Sequence, residues 1–473
     1  TEFKIVSEGF YRLREGEYGS DGTKWGWLPK TGYAAPNQND IASWGARSAV
    51  NNDLRLRPPS WPESWYNATL GRYVWPAFLG ADATTPDEEV YFVVDDYTKR
   101  EFAYYPFPSD STKRGLGVNL ECRMFQFQNP LAEDIIFLVY TVENPSQRIL
   151  PEVYFGMFGD PHVGGANNYS DDAASFIPAL AGKVFKNGQD LAIVNGVLTS
   201  QRARNLVYAW DPDGKSDIPT IKPGYFGYKF LESPNNSNDG IDNDDDGLVD
   251  ESPFNDKGVY IDGTNVPLTT GIADLTKYKA VYGNPKPRWS GDEDGDWDAT
   301  RDDVGLDGIA STKDEGEGNG VPDGKNDPVT GDWLGSEPNF GFRDVHESDQ
   351  IGLRSFWALD FNDANNVAKN DVLMFNNMSS DTSDVSLLYP PVTQDNIFLY
   401  GSGPFTLHRG DRQRFSIALM MGADLNDLLL NSEVAQRVLE ANYRFAQPPP
   451  KPVVTAVPGN GRVTLYWDIS AEE

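Results

Sequence analysis

Residues 134–143 read DIIFLVYTVE, and Asn144-Pro145-Ser146 follows directly. The run is apolar and rich in β-branched residues from end to end, which suits a buried strand. Asn-Pro-Ser is turn chemistry and closes it. The same pattern recurs outward from here. Upstream, Val90-Tyr91-Phe92-Val93-Val94 ends on the acidic pair Asp95-Asp96, and residues 116–128 form a long alternating run. Downstream come EVYFGMF at 152–158 and a further strand at 206–210. Beyond residue 345 the pattern resumes, with strands expected at 352–361, 371–375, 397–400 and 414–421 and a hairpin connection at 405–411. Strands at this spacing, divided by Pro, Gly, Asn and Asp turns, predict a mainly β chain: an antiparallel β-sandwich core with long loops.

One helix is expected. After Asn431-Ser432 as cap, Val434, Val438, Ala441 and Phe445 recur at helical spacing and predict a stripe packed on the sandwich. The polyproline run 447–452 is a stiff linker. Residues 1–87 carry half of the 12 tryptophans (Trp25, Trp27, Trp44, Trp61, Trp65 and Trp75) and no sustained period. They read as a loop-rich region pinned by aromatic side chains. The core is then expected over 88–231 and 346–447, with an acidic insertion at 232–345 and a linker plus two strands at 448–473. The stretch 453–467 is similar to the first two strands of a fibronectin type III domain, with Trp467 matching that family's core tryptophan. Two strands do not make a stable sandwich. Either more chain follows, or these strands complete a sheet in a neighbouring molecule.

The insertion is dense in Asp, Gly, Asn and Pro, too poor in apolar residues to offset chain entropy by itself. Its chemistry is that of a calcium loop. Asp242, Asp244 and Asp246 stand at positions one, three and five, Gly247 at six, Leu248 offers a carbonyl at seven, and Asp250 stands at nine. Calcium takes six to eight oxygen ligands, and alternate residues of a tight loop supply them. Pro253 replaces the glutamate of position twelve, so Asp250 or Glu251 is expected to close the shell. A second cluster, Asp292, Asp294, Asp296 and Asp298 with Asp302, Asp303 and Asp307, is expected to share another ion. A weaker third stretch holds Glu315, Glu317, Asn319, Asp323, Asn326 and Asp327. Seven acidic residues fall within 239–251 and seven more within 292–303. Carboxylates this crowded repel one another unless a cation intervenes. Ca2+ is therefore the expected cofactor; magnesium suits an all-protein oxygen cage less well.

Composition narrows the partners. With 71 acidic against 40 basic residues the net charge is −31, which argues against a nucleic-acid backbone or an anionic membrane as main partner, and no apolar stretch approaches the length that membrane insertion needs. Cys122 is the single cysteine, so no intrachain disulfide forms, and metal becomes the staple for long loops. No catalytic motif is found. Residues 209–216 miss a phosphate loop, with Ala209 in place of its first glycine and Asp211 and Asp213 repelling phosphate. GxSxG and HExxH are absent, and the three histidines, His162, His346 and His408, are scattered. Asp95, Asp96 and Asp160 at strand ends are the only hint of a glycoside hydrolase.

The runs 91–96, 104–108 and 114–117, Tyr154-Phe155-Gly156-Met157-Phe158-Gly159-Asp160-Pro161 and 345–353 (VHESDQIGL) resemble a family of large secreted bacterial surface proteins. Those proteins join such a β region to a fibronectin type III module and a C-terminal sorting signal. The resemblance implies secretion and an extracellular or cell-surface location, and supplies no catalytic residues. The expected function is structural: a calcium-stabilised component of a filament or surface layer, self-associating or bound to other extracellular proteins, with C-terminal strand donation as a route to polymerisation. The alternative is a carbohydrate-binding adhesin that uses the N-terminal aromatics to bind glycans.

Overall fold

The computed structural model describes residues 4–7, 18–30, 42–45, 53–78, 86–177, 193–194, 197–198, 205–244, 246–308, 310, 312–326, 333–344, 346–380, 392–440, 443 and 454–467. The chain is mainly β. Its principal sheet has ten strands, all antiparallel. From one edge they run Leu28–Pro29, Glu88–Asp95, Asn119–Gln126, Ile135–Glu143, Arg412–Gly422, Tyr225–Glu232, Leu206–Trp210, Ala173–Ile177 and Val392–Thr393, with Ala42–Gly45 also beside Glu88–Asp95. A second sheet of three strands orders Ser355–Leu359, Ile397–Leu407 and Leu150–Gly159.

The opening segment explains the layering. Ile135–Glu143 is a central strand, paired with Asn119–Gln126 on one side and Arg412–Gly422 on the other. Its even-numbered Leu138, Tyr140 and Val142 face the small sheet, in one cluster with Phe356, Phe398 and Tyr400. Its odd-numbered Ile135, Phe137 and Val139 face the opposite way, onto Leu428, Ala435 and Val438 of the helix Leu425–Glu440. A strand covered on both faces shows no polar alternation, which is why this run is apolar throughout. The small sheet obeys the same period: Phe398 and Tyr400 point to the large sheet, while Ile397 and Leu399 point to Met374 and Met378 of a helix outside it. The result is sandwich-like, two packed sheets flanked by helices.

Two local expectations are corrected. Residues 371–375 form no strand; Asp371–Met378 is an α-helix. Asn370 caps it, its side chain accepting from Leu373 N, and Met374 and Met378 lie one turn apart on the buried face. The capping asparagine outweighs the short apolar run. The long helix starts two turns earlier than expected, at Leu425, and Asn431-Ser432 lies within it. Asp424 is the cap, accepting from Asp427 N at 3.0 Å. The stripe is Leu428, Leu429, Ala435, Val438 and Leu439, with Val434 partly buried; Ala441 and Phe445 lie outside the described residues. Four α-helices occur among the described residues rather than one. Asp424→Ala removes the carboxylate that caps this helix, so a loss of about 1 kcal/mol in urea unfolding is expected.

The N-terminal tryptophans form a satellite core. Trp61 and Trp75 are fully buried, with ring centroids 5.2 Å apart, and Trp65 stands edge-on to both, at 5.8 and 5.4 Å. The cluster seats on Tyr91 and Val93 of the large sheet, so this region is anchored to the core. Val454–Gly459 and Arg462–Trp467 form a hairpin that pairs with no other strand among the described residues.

The acidic segment leaves and re-enters the core at one place. Ser233 N donates to Gln350 Oε1 at 3.0 Å, Ile351 N to Pro234 O at 3.0 Å, and Asp349 N to Glu251 O at 3.1 Å. Between these ends lie the short helix Leu275–Val281, two two-stranded ribbons (Tyr260–Ile261 with Arg288–Trp289, and Gly324–Asn326 with Trp333–Gly335) and many turns.

Candidate metal centre

The Asp-rich loop is folded tightly against the short helix. Gly247 has φ 95°, and a Cβ there would lie 2.4 Å from Asp274 O and 2.6 Å from Tyr278 N, so only glycine fits. Its carbonyl accepts from Ala273 N and Asp274 N, both at 2.9 Å. The turn brings carboxylate oxygens of Asp242, Asp244 and Asp246 within 4.8 Å of one another. Asp242 accepts from the N–H groups of Asp246 and Gly247, and from Lys277 Nζ at 2.8 Å. Asp246 accepts from Leu248 N at 2.8 Å and from the Tyr282 hydroxyl. Asp244 Oδ1 is buried with no hydrogen-bond partner among the described residues, and so is Oε2 of Glu251, a side chain only 2% exposed. The Leu248 side chain is buried. Asp250 does not join this trio. It stands with Asp239 and Asp349, and its Oδ1 accepts from Gly240 N at 2.8 Å.

The second cluster divides. Asp292 and Asp294 turn inward and meet Glu347, again with ligand oxygens within 4.8 Å. Asp296 is partly buried, with Oδ1 unpartnered. Asp298 is exposed, and its Oδ1 accepts from Thr300 N and Oγ1. Asp302 is held by Arg301, at 2.9 Å to Nε and 2.8 Å to Nη2. Asp303 pins a separate turn, accepting from Gly318, Asn319 and Gly320 N–H groups. Alternation along 292–298 therefore does not bring four carboxylates to one point: Asp298 opens an exposed turn, its carbonyl accepting from Arg301 N at 2.9 Å and Asp302 N at 2.7 Å. In the third stretch Asp323 accepts from Asn319 Nδ2 at 2.6 Å and Glu317 from Lys313 N, while Asp327 lies outside the described residues.

Three carboxylates of this centre were not legible as ligands. Asp344, Glu347 and Asp349 come from the segment that re-enters the core, and all are buried. Their signal was three acids within six residues across the insertion's C-terminal boundary. Asp349 works as a brace, accepting from Asn243 N at 2.8 Å and Asp250 N at 3.2 Å.

Burial, before anything else, pushes these acids up, and neighbouring carboxylates add to it. Glu251 is raised to about 10, Asp292 and Glu293 to about 8, and Asp296 to about 7. Asp244, Asp344 and Glu347 are raised well above the carboxylate range for the same two reasons. The cations nearby are few. Lys286, Arg288 and His346 favour ionised Asp294, but the Arg288 guanidinium is spent on the carbonyls of Leu268 and Thr270, at 2.8 and 2.7 Å. Buried like charges without partners are costly, and a hard divalent cation is what an all-oxygen donor set accommodates.

No family model, curated protein or solved structure matches this chain.

Elsewhere the chemistry is thinner. Asp96 is fully buried and raised to about 6 by burial, yet it accepts from the N–H groups of Leu116, Gly117 and Val118 and from Ser7 Oγ, the pattern of a loop anchor. Asp160, His162 and Asp395 gather at the end of Leu150–Gly159, where the His162 ring stacks on Tyr169. A cavity of about 1030 Å³ lies between the sheets; Lys4, Glu152 and Asp160 are the charged residues on its otherwise largely apolar and aromatic wall. Cys122 lines it, buried, its thiol pushed up by that burial and hence unreactive.

Proposed function

We propose that this chain is a secreted, calcium-stabilised structural protein of an extracellular assembly, a filament or surface layer, and not an enzyme. The observation that carries the reading is the set of buried carboxylate oxygens, on Asp244, Glu251, Asp292, Glu293, Asp296, Asp344 and Glu347, that have no hydrogen-bond partner among the described residues. Such oxygens are seldom left unsatisfied in a folded protein. Calcium at about millimolar levels, the extracellular condition, fills even modest oxygen sites. Among the described residues, none of 232–345 belongs to the four apolar core clusters, so ions supply the order that a core supplies elsewhere.

The resemblance to secreted bacterial surface proteins supports the location. The C-terminal hairpin supports assembly. Val463 and Leu465 on it are 64% and 52% exposed, and its edges lack strand partners among the described residues. An open hairpin of fibronectin type III character is a donor for a neighbouring sheet. A glycan platform on the N-terminal aromatics has less support, because Trp61 and Trp75 present no exposed face. Negative-stain imaging tests the proposal: filaments or sheets are expected in calcium. Monodisperse monomers, with calcium present and residues 454–467 intact, overturn it.

A further inference from the structure

The two halves of the acidic centre are not equivalent. In the 242–246 loop two of the three carboxylates are already engaged by side chains: Lys277 Nζ sits on Asp242 at 2.8 Å and the Tyr282 hydroxyl on Asp246, and Asp244 alone keeps a buried oxygen with no partner among the described residues. The lysine acts as a built-in counter-ion, and an ion entering there competes with it. Around Asp292 the arrangement is different. Each carboxylate spends one oxygen on a backbone N–H. Asp292 Oδ1 accepts from Trp297 N at 3.4 Å, Asp294 Oδ1 from Asp296 N at 2.9 Å, and Glu347 Oε1 from Glu293 N at 2.9 Å. Asp344 repeats the pattern, its Oδ1 accepting from His346 N at 2.9 Å. The second oxygens of Asp292, Glu347 and Asp344 are buried and have no partner among the described residues. The side chains themselves are 1%, 0% and 7% exposed. One oxygen fixes the group and the other is aimed inward, which is how a ligand cage is held open before its ion arrives.

We propose that Asp292, Asp294 and Glu347, with Asp344 beside them, form the chain's tight calcium site, separate from the 242–246 loop. The inference rests on the calcium reading above and assigns its principal seat. The donors are all hard oxygens, which selects calcium over zinc, and the site is buried, which disfavours the water-rich shell that magnesium keeps. Its position gives it a task. Asp292 and Asp294 follow the ribbon strand Arg288–Trp289, deep in the acidic segment. Glu347 lies four residues before Ile351, which is packed in the main core. An ion shared by the two therefore latches the far arm of the insertion to the chain as it re-enters the sandwich.

Calcium titration calorimetry on chelator-stripped full-length protein tests the assignment, with near-UV circular dichroism as the check on folding. The native chain is expected to show a tight class of binding. Glu347→Gln should weaken it on the order of 100-fold, the scale of losing one member of a buried ionic cluster. Asp244→Asn should leave that class within a few-fold. A second readout moves in opposite directions. In chelator Glu347→Gln should melt above the native chain, since folding no longer has to bury an acid among other acids; in calcium it should melt below it. Should Glu347→Gln fail to fold, Asp292→Asn carries the same test. Tight binding lost with Asp244→Asn but kept with Glu347→Gln and Asp292→Asn overturns this assignment and leaves the calcium reading standing. No binding by the native chain overturns both.

Discussion

Stripping calcium from this protein is expected to lower its melting temperature by roughly 10 °C. A site held at a hundred times its dissociation constant adds about 2.7 kcal/mol to folding, and two such sites add about twice that. In a domain of 150–250 residues each kcal/mol moves the midpoint by at least about 2 °C, which gives the figure. The loss should be local first. Residues 232–349 depend on Asp244, Glu251, Asp292 and Glu347 being neutralised, whereas Ile135–Glu143 and its neighbours are held by apolar packing on both faces. Differential scanning calorimetry should therefore show a low-temperature shoulder in chelator that disappears when calcium is restored. Magnesium at the same concentration should restore much less, because it dehydrates reluctantly. A melt indifferent to chelator removes any structural role for ions here.

The sandwich was legible because strand burial leaves a direct trace in sequence. DIIFLVYTVE has no polar face, and the strand it predicts has none. The misread elements were decided by single polar residues. Asn370 and Asp424 each satisfy helix N–H groups that an apolar pattern does not register, so a strand became Asp371–Met378 and a helix began at Leu425. The acidic centre was half legible. Spacing along the chain identified Asp242, Asp244 and Asp246, because a tight loop brings near neighbours together. It failed for Asp298, which opens an exposed turn, and for Glu347, which arrives from just past the insertion. Local spacing carries no information about which distant segment closes a site. The orphaned oxygens do carry it, since they mark where charge is buried whatever its order in the chain.

Those oxygens also fix how stability should depend on pH, and the sign differs with and without metal. In the stripped protein Asp292, Glu293 and Asp296 hold their protons to about 8, 8 and 7, raised chiefly by burial. In the unfolded chain such groups release them near 4. Between those limits the native state binds more protons than the unfolded one, so stability falls as pH rises. Each group contributes a slope of about 1.4 kcal/mol per pH unit across its window. Across pH 5 to 8 the stripped protein should thus melt highest at pH 5 and lose stability steadily to pH 8. Calcium reverses the preference, because it binds the ionised carboxylates and competes with the protons. Its stabilising increment should be small at pH 5 and largest at pH 8, where fewer protons have to be displaced. Melting curves across this range, on chelator-stripped protein with and without added calcium, measure both effects together. A stripped protein that gains stability from pH 5 to 8, or a calcium increment that ignores pH, means that these carboxylates are neither buried as charges nor gathered about an ion.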